Sequence, residues 1–295
     1  MTELSTEKKN NTCDTQMETQ SYNKVVLWPE LEEGYVPVPS EFRFIADGMH
    51  FRIELANTRE QKAASFRFMY DIYREKDWGT PHSSGMHFSL YEIFAESTTL
   101  VVIKDEHELV GTITVAPDSP IFGLPDDENY KDILDVERAK GRRMAEVISL
   151  GIRSDVRGVR EIILKLFNFA YFVARGIREC TDFVITVLPH HTPFYARKML
   201  FKAIGEPRWQ KKTGVIVELL KLDFEDAEKE TLSLHGVLGN KPEKSTTIYG
   251  DFFAVCEVLG IIEELKHRLM PIKPDDFQYF LSLRPELKEK LKNEN

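Results

Sequence analysis

One carboxylate interrupts an otherwise apolar run near the middle of the chain. The segment Met144–Ile152 (MAEVISLGI) has the composition of a β-strand, and Glu146 lies inside it. A carboxylate in such a strand is costly unless it faces a cleft or has a partner. In a cleft, partial desolvation raises its pKa toward the range in which it acts as a general base. The alternative is a structural ion pair with Arg142 or Arg143.

A phenol and two imidazoles follow the next strand signal. Asp182–Leu188 predicts a buried strand, and Thr192-Pro193 is a cap and first-turn pair that opens a helix containing Tyr195. Tyr195, or His190 or His191 before it, could give a proton to a leaving group. The alternative is a tyrosine packed on its helix and a pair of loop histidines. We expect no metal site, because adjacent histidines do not readily share one ion and no carboxylate has matching spacing.

An anion site is indicated between these two strands. The turn after Ile152 carries Arg153, Arg157 and Arg160 and leads into a helix predicted over Glu161–Arg178. A helix N-terminus presents unpaired N–H groups and the positive end of its dipole, and guanidinium groups suit phosphate oxygens. The alternative is an exposed turn whose arginines face water.

The surrounding elements indicate a mixed α/β fold. Strand, helix, strand and helix in succession require a right-handed crossover and a parallel strand pair. The stretch 116–138, which has three prolines, is predicted to be an irregular loop. The other predicted elements are strands on both sides of an Asp47-Gly48 turn (42–55), a helix (60–76), a hairpin (100–103 and 109–115) and a strand (215–222).

Composition excludes several classes of protein. The 295 residues carry a net charge of −9, which argues against a dedicated nucleic-acid binder. The start of the chain lacks the apolar core of a signal peptide, and no apolar run is long enough to span a membrane. Cys13, Cys180 and Cys256 lack ligand spacing and are interpreted as reduced thiols. We therefore expect a cytoplasmic protein.

The charge is unevenly distributed along the chain. Residues 138–212 contain 16 Lys and Arg against 6 Asp and Glu, a local charge of +10, so the remainder carries −19. Such a segment suggests an anionic partner, although an ordinary solvated surface has the same composition.

Several segments resemble GNAT acyltransferases. They are the hairpin end Leu109–Ile113, the Arg157-Gly158 turn before a helix, and Phe194–Glu206, which is similar to the family's FY.k.GF..iGe segment. The likeness is closer to bacterial N-acyl amino acid synthases, which are related to acyl-homoserine-lactone autoinducer synthases. It rests on Tyr70–Trp78 (YDIYREKDW), Ala145–Leu150 (AEVISL), Leu188–His190 (LPH) and Gly205–Arg208 (GEPR), and it spans roughly residues 50 to 224.

The resemblance implies a GNAT fold with splayed central parallel strands and an N-acyltransferase activity on a fatty acyl thioester. Glu146 would take a proton from the acceptor amine, and Tyr195 would protonate the departing thiolate. The other residues implied are Ser149, Leu150, Gly151 and Ile152 against the pantetheine arm, and Arg157, Gly158, Val159 and Arg160 at its phosphate. Tyr70, Tyr73 and Trp78, with Phe66 and Met69, could line the acyl pocket and so bind the substrate, because a long chain needs apolar walls. An aromatic stripe at helical spacing is more often part of a packed core.

The expected donor is a phosphopantetheine thioester on an acyl carrier protein. The family's phosphate loop has small residues where this chain has Arg160 and Ile162, which favours a single phosphodiester over the pyrophosphate of coenzyme A. Carrier proteins are acidic, so the basic segment would steer them. Acyl-CoA is the alternative donor. The resemblance implies a free amino acid as the acceptor, with Arg67 or Arg74 as candidates to hold its carboxylate.

Other functions remain open at this point. They are an autoinducer synthase that lactonises S-adenosylmethionine, an acetyl-CoA transferase, and a non-catalytic module that binds an acyl carrier protein or a lipid. The domain organisation predicted is a disordered tail (1–22), a GNAT-like domain (23–225) and a helical extension (226–295) that covers the acyl pocket, forms a dimer contact or simply packs.

Overall fold

Two strands joined by a tight turn form one edge of the main sheet. The computed structural model describes residues 25–29, 38–105, 107–236, 245–253 and 255–293. Strand β1 (Arg43–Ala46) turns into β2 (Met49–Leu55) through Asp47 and Gly48, whose φ angles are +48° and +75°. Both angles are positive, as the predicted two-residue hairpin turn requires. The predicted tail of residues 1–22, with Cys13, lies outside the described residues.

The described residues form a sheet of nine strands, in which one pairing is parallel. Its order is β1-β2-β3-β4-β5-β6-β9-β7, with β8 paired to β9. Strands β5 and β6 are parallel, whereas the other named pairs are antiparallel. The prediction of a mixed α/β sheet is therefore confirmed. The remaining strands are β3 (Thr98–Lys104), β4 (Glu108–Pro117), β5 (Met144–Ile152), β6 (Asp182–Val187), β7 (Lys202–Ala203), β8 (Arg208–Gln210) and β9 (Val215–Asp223).

Eight α-helices are described. The first begins with a capping box, in which Thr58 and Gln61 satisfy each other's backbone N–H groups. The third continues into a π-helix over Phe172–Ile177. The α-helices are α1 (Arg59–Glu75), α2 (Asp127–Ala139), α3 (Val159–Tyr171), α4 (Thr192–Met199), α5 (Phe224–His235), α6 (Val255–Arg268), α7 (Pro274–Leu283) and α8 (Pro285–Asn293).

Alternation along the strands gives the sheet two buried faces. On β5, Ala145 packs with α3, and we call this side the α3 face. The neighbouring Met144 packs with α2. Helix α1 lies on the same side of the sheet as α2, because its Ser65 hydroxyl lies 3.0 Å from the hydroxyl of Thr112, a residue of β4. We call this side the α1/α2 face. Glu146 has the parity of Met144 and therefore points to the α1/α2 face.

The prediction of an irregular loop over 116–138 is wrong for its second half, which forms α2. Pro117, Pro120 and Pro125 crowd the stretch just before the helix and obscure its beginning. Its buried positions, Tyr130, Leu134 and Glu137, have helical spacing, but one of them is charged. The apolar pattern is therefore weak even though the helix is real.

The C-terminal helices pack directly on the rest of the molecule. Phe280 of α7 is fully buried against Phe66 of α1 and Phe88. Gly176 of the π-helix lies so close to Ile262 of α6 that an added Cβ would be 2.4 Å from the isoleucine side chain. Among the described residues, no helix is both long and apolar enough to cross a membrane. Cys180 is a free, buried thiol.

Candidate active site

The two parallel strands separate after three residues. Pairing between β5 and β6 covers Met144–Glu146 against Asp182–Val184 and then stops. Each strand keeps its other neighbour, since β5 stays paired with β4 to Ile152 and β6 stays paired with β9 to Val187. The result is a wedge-shaped gap through the sheet with unpaired backbone groups on both sides, as the resemblance implied.

A cavity of about 560 Å³ occupies this gap and reaches both faces of the sheet. Its size is within the range of small-molecule sites. Val159, Ile163 and Phe167, one stripe of α3, line it on the α3 face. Tyr73 and Trp78, at the end of α1, line it on the opposite face. The cavity can therefore admit two reactants from opposite sides of the sheet.

Glu146 lies at the point where the strands part and is 2% exposed. Its carboxylate accepts a 2.9 Å hydrogen bond from the backbone N–H of Asp126. The alternative ion pairs are ruled out, because Arg142 binds Asp182 at 2.6 Å and Arg143 contacts Glu179 at 3.3 Å. Within the described part of the chain, Glu146 is thus a buried carboxyl that forms no ion pair.

The Asp126 side chain adds a second buried carboxyl beside Glu146. Its Oδ1 accepts a 3.1 Å hydrogen bond from Gln210, whereas its Oδ2 has no donor among the described residues. Burial, followed by the Asp126 charge, raises the pKa of Glu146 well above its usual range. Burial also raises the pKa of Asp126. The two carboxyl groups interact directly, so they titrate as a coupled pair.

Tyr195 reaches the same cavity from the α3 face. Its ring packs edge-on against Phe167 and Phe201, with centroids 6.4 and 5.8 Å away. Burial raises the pKa of the Tyr195 hydroxyl to about 12. The phenol therefore keeps its proton at neutral pH and can act as a donor. The structure brings Glu146 and Tyr195 to one cavity from opposite sides of the sheet.

A β-bulge shapes the β5 edge of the gap. The β4–β5 register shifts so that Thr112 faces Gly151 and Thr114 faces Ile148, which leaves an extra residue on β5. Ser149 in the bulge has φ +49°, a left-handed conformation that costs a non-glycine residue about 1 kcal/mol or more. Its hydroxyl donates a 2.7 Å hydrogen bond to Glu92, which holds the bulge in place.

Glu92 is a buried carboxylate on the cavity wall that sequence reasoning missed. It is 1% exposed and accepts hydrogen bonds from the Ser89 N–H at 2.8 Å and from the Ser89 hydroxyl. Burial alone would raise its pKa, but the Lys212 charge and the Ser89 and Ser149 donors outweigh burial and lower it. Lys62 is a buried neighbour of Glu92. Burial lowers the pKa of Lys62 to about 8, although the Glu92 charge acts in the opposite direction.

The predicted phosphate site is at the N-terminus of α3. Gly158 caps the helix at φ +73°, and an added Cβ would come within 2.6 Å of the Ala46 Cβ. Val159 lines the cavity, while Arg157 and Arg160 lie outside its lining and are 80% and 67% exposed. Arg153 forms an ion pair with Glu108 at 2.7 Å, so its guanidinium already has a structural partner.

The structure separates the other predicted site residues. Tyr73 and Trp78 line the cavity, whereas Tyr70 is not among its lining residues. Neither Arg67 nor Arg74 lines it, and Arg74 contacts Asp77 at 3.6 Å. All four predicted residues of the β5 edge line the cavity, namely Ser149, Leu150, Gly151 and Ile152. Their roles, like those of Glu146 and Tyr195, stay predictions.

Three lining residues carry no clear sequence signal. Asp126 precedes α2 within the stretch that we expected to be a loop, and Glu92 lies in a short 3₁₀ turn (Tyr91–Ile93). Lys212 belongs to the turn between β8 and β9. Only the tertiary fold brings them together. Among the described residues, no group of three or more His, Cys, Asp or Glu side chains is placed to hold a metal ion.

A mixed sheet with one splayed parallel pair and a cavity in the splay defines a GNAT-fold acyltransferase. The sequence model of the N-acyl amino acid synthase FeeM matches residues 64–223, more than half of the 295 residues. The chain therefore belongs to the FeeM family of N-acyl amino acid synthases, and it is an N-acyltransferase. No curated protein matches the sequence.

The solved structure of FeeM shares the fold, and two other solved structures are more distantly similar. FeeM from uncultured soil microbes superposes with a TM-score of 0.52 at 19% identity, covering 60% of this chain and 93% of FeeM. The CoA-dependent acyl-homoserine lactone synthase BjaI, solved with SAM and isopentyl-CoA, has a TM-score of 0.44 at 15% identity, covering 68% and 92%. An N-acetyltransferase from Lactobacillus plantarum has a TM-score of 0.41 at 12% identity, covering 59% and 97%.

Proposed function

We propose that the protein transfers a long-chain fatty acyl group from an acyl carrier protein thioester to the amine of a free amino acid. The observation that carries this proposal is the gap between β5 and β6, which Glu146 enters from one face of the sheet and Tyr195 from the other. The family supports N-acyl transfer. The two-sided cavity allows donor and acceptor to be bound at the same time, so no covalent enzyme intermediate is needed.

The donor arm enters on the α3 face. Its phosphate binds the N–H groups at the start of α3, where the helix dipole favours an anion. The pantetheine amides pair with the unpaired backbone of β5 beyond Glu146 and of β6 beyond Val184, as an added strand does. The thioester carbonyl then lies at the Ser149 bulge, whose free backbone groups stabilise the oxyanion as it develops.

Acyl transfer requires three proton movements. Glu146, directly or through water, takes a proton from the acceptor ammonium, and the freed amine nitrogen attacks the thioester carbon. The tetrahedral oxyanion collapses, the carbon–sulfur bond breaks, and the Tyr195 phenol gives its proton to the departing thiolate. The nitrogen then releases its second proton, which passes through water to the Tyr195 phenolate. The products are the N-acyl amino acid and the free thiol of the carrier, and the proton on Glu146 returns to solvent.

The experiment is direct detection of product. Purified protein is incubated with acyl carrier protein charged with fatty acids and with free amino acids, and products are identified by mass spectrometry. We expect N-acyl amino acids from the wild type. In Glu146→Gln and in Tyr195→Phe we expect turnover to fall by about 100-fold or more, with the fold intact by circular dichroism. Glu179→Gln, an exposed glutamate, is the matched control.

Three outcomes would contradict the proposal. A lactone formed from S-adenosylmethionine would indicate an autoinducer synthase. Binding of the charged carrier without consumption of its thioester, whatever the amine, would indicate a non-catalytic module. If Glu146→Gln turns over at the wild-type rate, Glu146 is not the general base.

A further inference from the structure

A lysine that forms no direct ion pair among the described residues lies at the α1/α2 face of the cavity. Lys212 is in the turn that joins β8 to β9, and it is among the residues that line the cavity. Its charge acts on the buried Glu92 carboxylate without a direct ion pair between the two. Lys76 also lines the cavity, but its ammonium lies over the Trp78 ring, 5.2 Å from the centroid.

The hairpin that carries Lys212 is fixed on the α1/α2 face. Arg208 of β8 binds Asp132 of α2 at 2.7 Å and donates to the Asn129 carbonyl at 2.6 Å. On the far side of the cavity, the Lys212 carbonyl approaches Gly79, just beyond α1. A Cβ built on that glycine would lie 3.3 Å from the carbonyl oxygen. The turn therefore spans the cavity from α2 to the segment after α1.

Lys212 is close to the acids that handle protons in the site. Its charge favours the ionised forms of Glu92, Asp126 and Glu146 and lowers the pKa that each would otherwise have. The α3 N-terminus, where the donor phosphate is expected, is on the opposite face of the sheet. The position of Lys212 therefore suits the acceptor and not the phosphate of the donor.

We propose that Lys212 binds the carboxylate of the acceptor and so selects free amino acids over simple amines and amides. This inference rests on the proposed function. The acceptor ammonium lies at the Glu146–Asp126 pair, while the acceptor carboxylate forms an ion pair with Lys212 across the same cavity. A zwitterion matches both charges, whereas an amide or a decarboxylated amine leaves the lysine without a partner. The assignment replaces Arg67 and Arg74, neither of which lines the cavity.

The test compares each amino acid with its own carboxamide. Steady-state kinetics are measured at a fixed acyl carrier protein donor for the wild type, Lys212→Met and Lys211→Met, since Lys211 is adjacent and does not line the cavity. We expect the wild type to prefer the free acid by about 10- to 100-fold in kcat/KM. In Lys212→Met we expect that preference to vanish, mainly through a higher KM for the acid, with the donor KM unchanged.

The ratio of acid to carboxamide isolates the proposed contact. Removing Lys212 also changes the pKa of Glu146, but that effect slows both acceptors alike and leaves the ratio unchanged. We expect Lys212→Arg to keep most of the preference and Lys211→Met to keep all of it. Equal use of acids and carboxamides by the wild type, or an unchanged ratio in Lys212→Met, would overturn the inference while the proposed function stands. Absence of acyl transfer to any amine would defeat both.

Discussion

Glu146 and Asp126 together determine when the site can act as a base. Both carboxyls are buried, which raises the pKa of each. The Asp126 charge raises the pKa of Glu146 further, whereas the hydrogen bond with Glu146 lowers the pKa that Asp126 would otherwise have. Because the two groups titrate as a pair, the proton that leaves at the higher pH belongs to both. The Lys212 charge acts in the opposite direction and lowers the pKa that Glu146 would otherwise have.

Asp126→Asn should move the acid limb of the pH–rate profile to lower pH. Glu146 must be ionised to accept a proton, so kcat/KM falls as the pH drops through its pKa. The mutation removes a like charge and thereby lowers the pKa of Glu146. The profile is measured with the acyl carrier protein donor at saturating acceptor, and Asp135→Asn, an exposed carboxylate on α2, is the control. A limb unchanged or shifted upward in Asp126→Asn would contradict the paired-carboxyl account.

Some of these site residues can be identified from the sequence, and others cannot. Glu146 can be identified because a charge within MAEVISLGI breaks an apolar run, and Tyr195 because it follows a helix cap at a strand end. Asp126 follows three prolines in a stretch where a carboxylate is common, and Glu92 lies in a segment without a clear helical or strand period. Their burial depends on α2 and on the 3₁₀ turn packing over the gap, which is a tertiary effect.

Among the elements, the C-terminal helices support one wall of the cavity. Phe280 of α7 packs on Phe88, and Arg284 donates a 3.2 Å hydrogen bond to the Phe88 carbonyl. Ser89 and Glu92 follow Phe88 in the chain and line the cavity. The family match ends at residue 223, so α7 and Arg284 lie beyond the matched region and yet support part of the cavity wall.

Phe280→Ala should weaken both the fold and acceptor binding. Loss of a fully buried phenylalanine costs about 3–5 kcal/mol of unfolding free energy, and the wall from Ser89 to Glu92 loses its support. We expect a lower urea midpoint, and a KM for the amino acid raised more than the KM for the donor. Leu259→Ala, on the exposed side of α6, should change neither. Equal changes in both KM values, or a stable variant with unchanged kinetics, would contradict this role.

Elements with a clear period could be predicted, and those without one could not. The strand Met144–Ile152 begins and ends where the sequence indicates, and α1 differs by one residue at each end from the predicted 60–76. Helix α2 was missed because its buried stripe includes Glu137, which binds Lys140 and Lys221. The parting of β5 from β6 has no local signal; it was expected only from the family resemblance.

At the scale of the whole molecule, folding redistributes the charge seen along the chain. Much of the +10 of residues 138–212 is paired with acids from other segments. Arg142 binds Asp223 at 2.6 Å, and Arg175 binds Glu228 at 2.8 Å. A count along the sequence therefore overstates the positive surface. Around the α3 N-terminus, Arg157 and Arg160 remain well exposed, with contacts of 3.8 and 3.2 Å to acidic side chains.

The double variant Arg157→Ala, Arg160→Ala should bind the acyl carrier protein about tenfold more weakly, with a smaller dependence on salt. Exposed charges steer an anionic partner and lose that effect as ionic strength rises. Affinity is measured by titration calorimetry at several salt concentrations. The control is Lys140→Ala, Arg143→Ala, at the closed end of the β5–β6 pair. Docking at this site would be rejected if the variant lost no more affinity for the carrier protein than the control does. It would also be rejected if the variant used carrier and CoA donors as the wild type does.

The measurement that bears most directly on the central claim is a crystal structure with a non-reactive amide analogue of acyl-phosphopantetheine, in which N–H replaces the thioester sulfur. The account predicts that the arm lies between β5 and β6 beyond Glu146, with its carbonyl at the Ser149 bulge and with Glu146 and Tyr195 on opposite sides of the reacting carbon. An analogue bound outside this gap, or strands that close together when it binds, would contradict it.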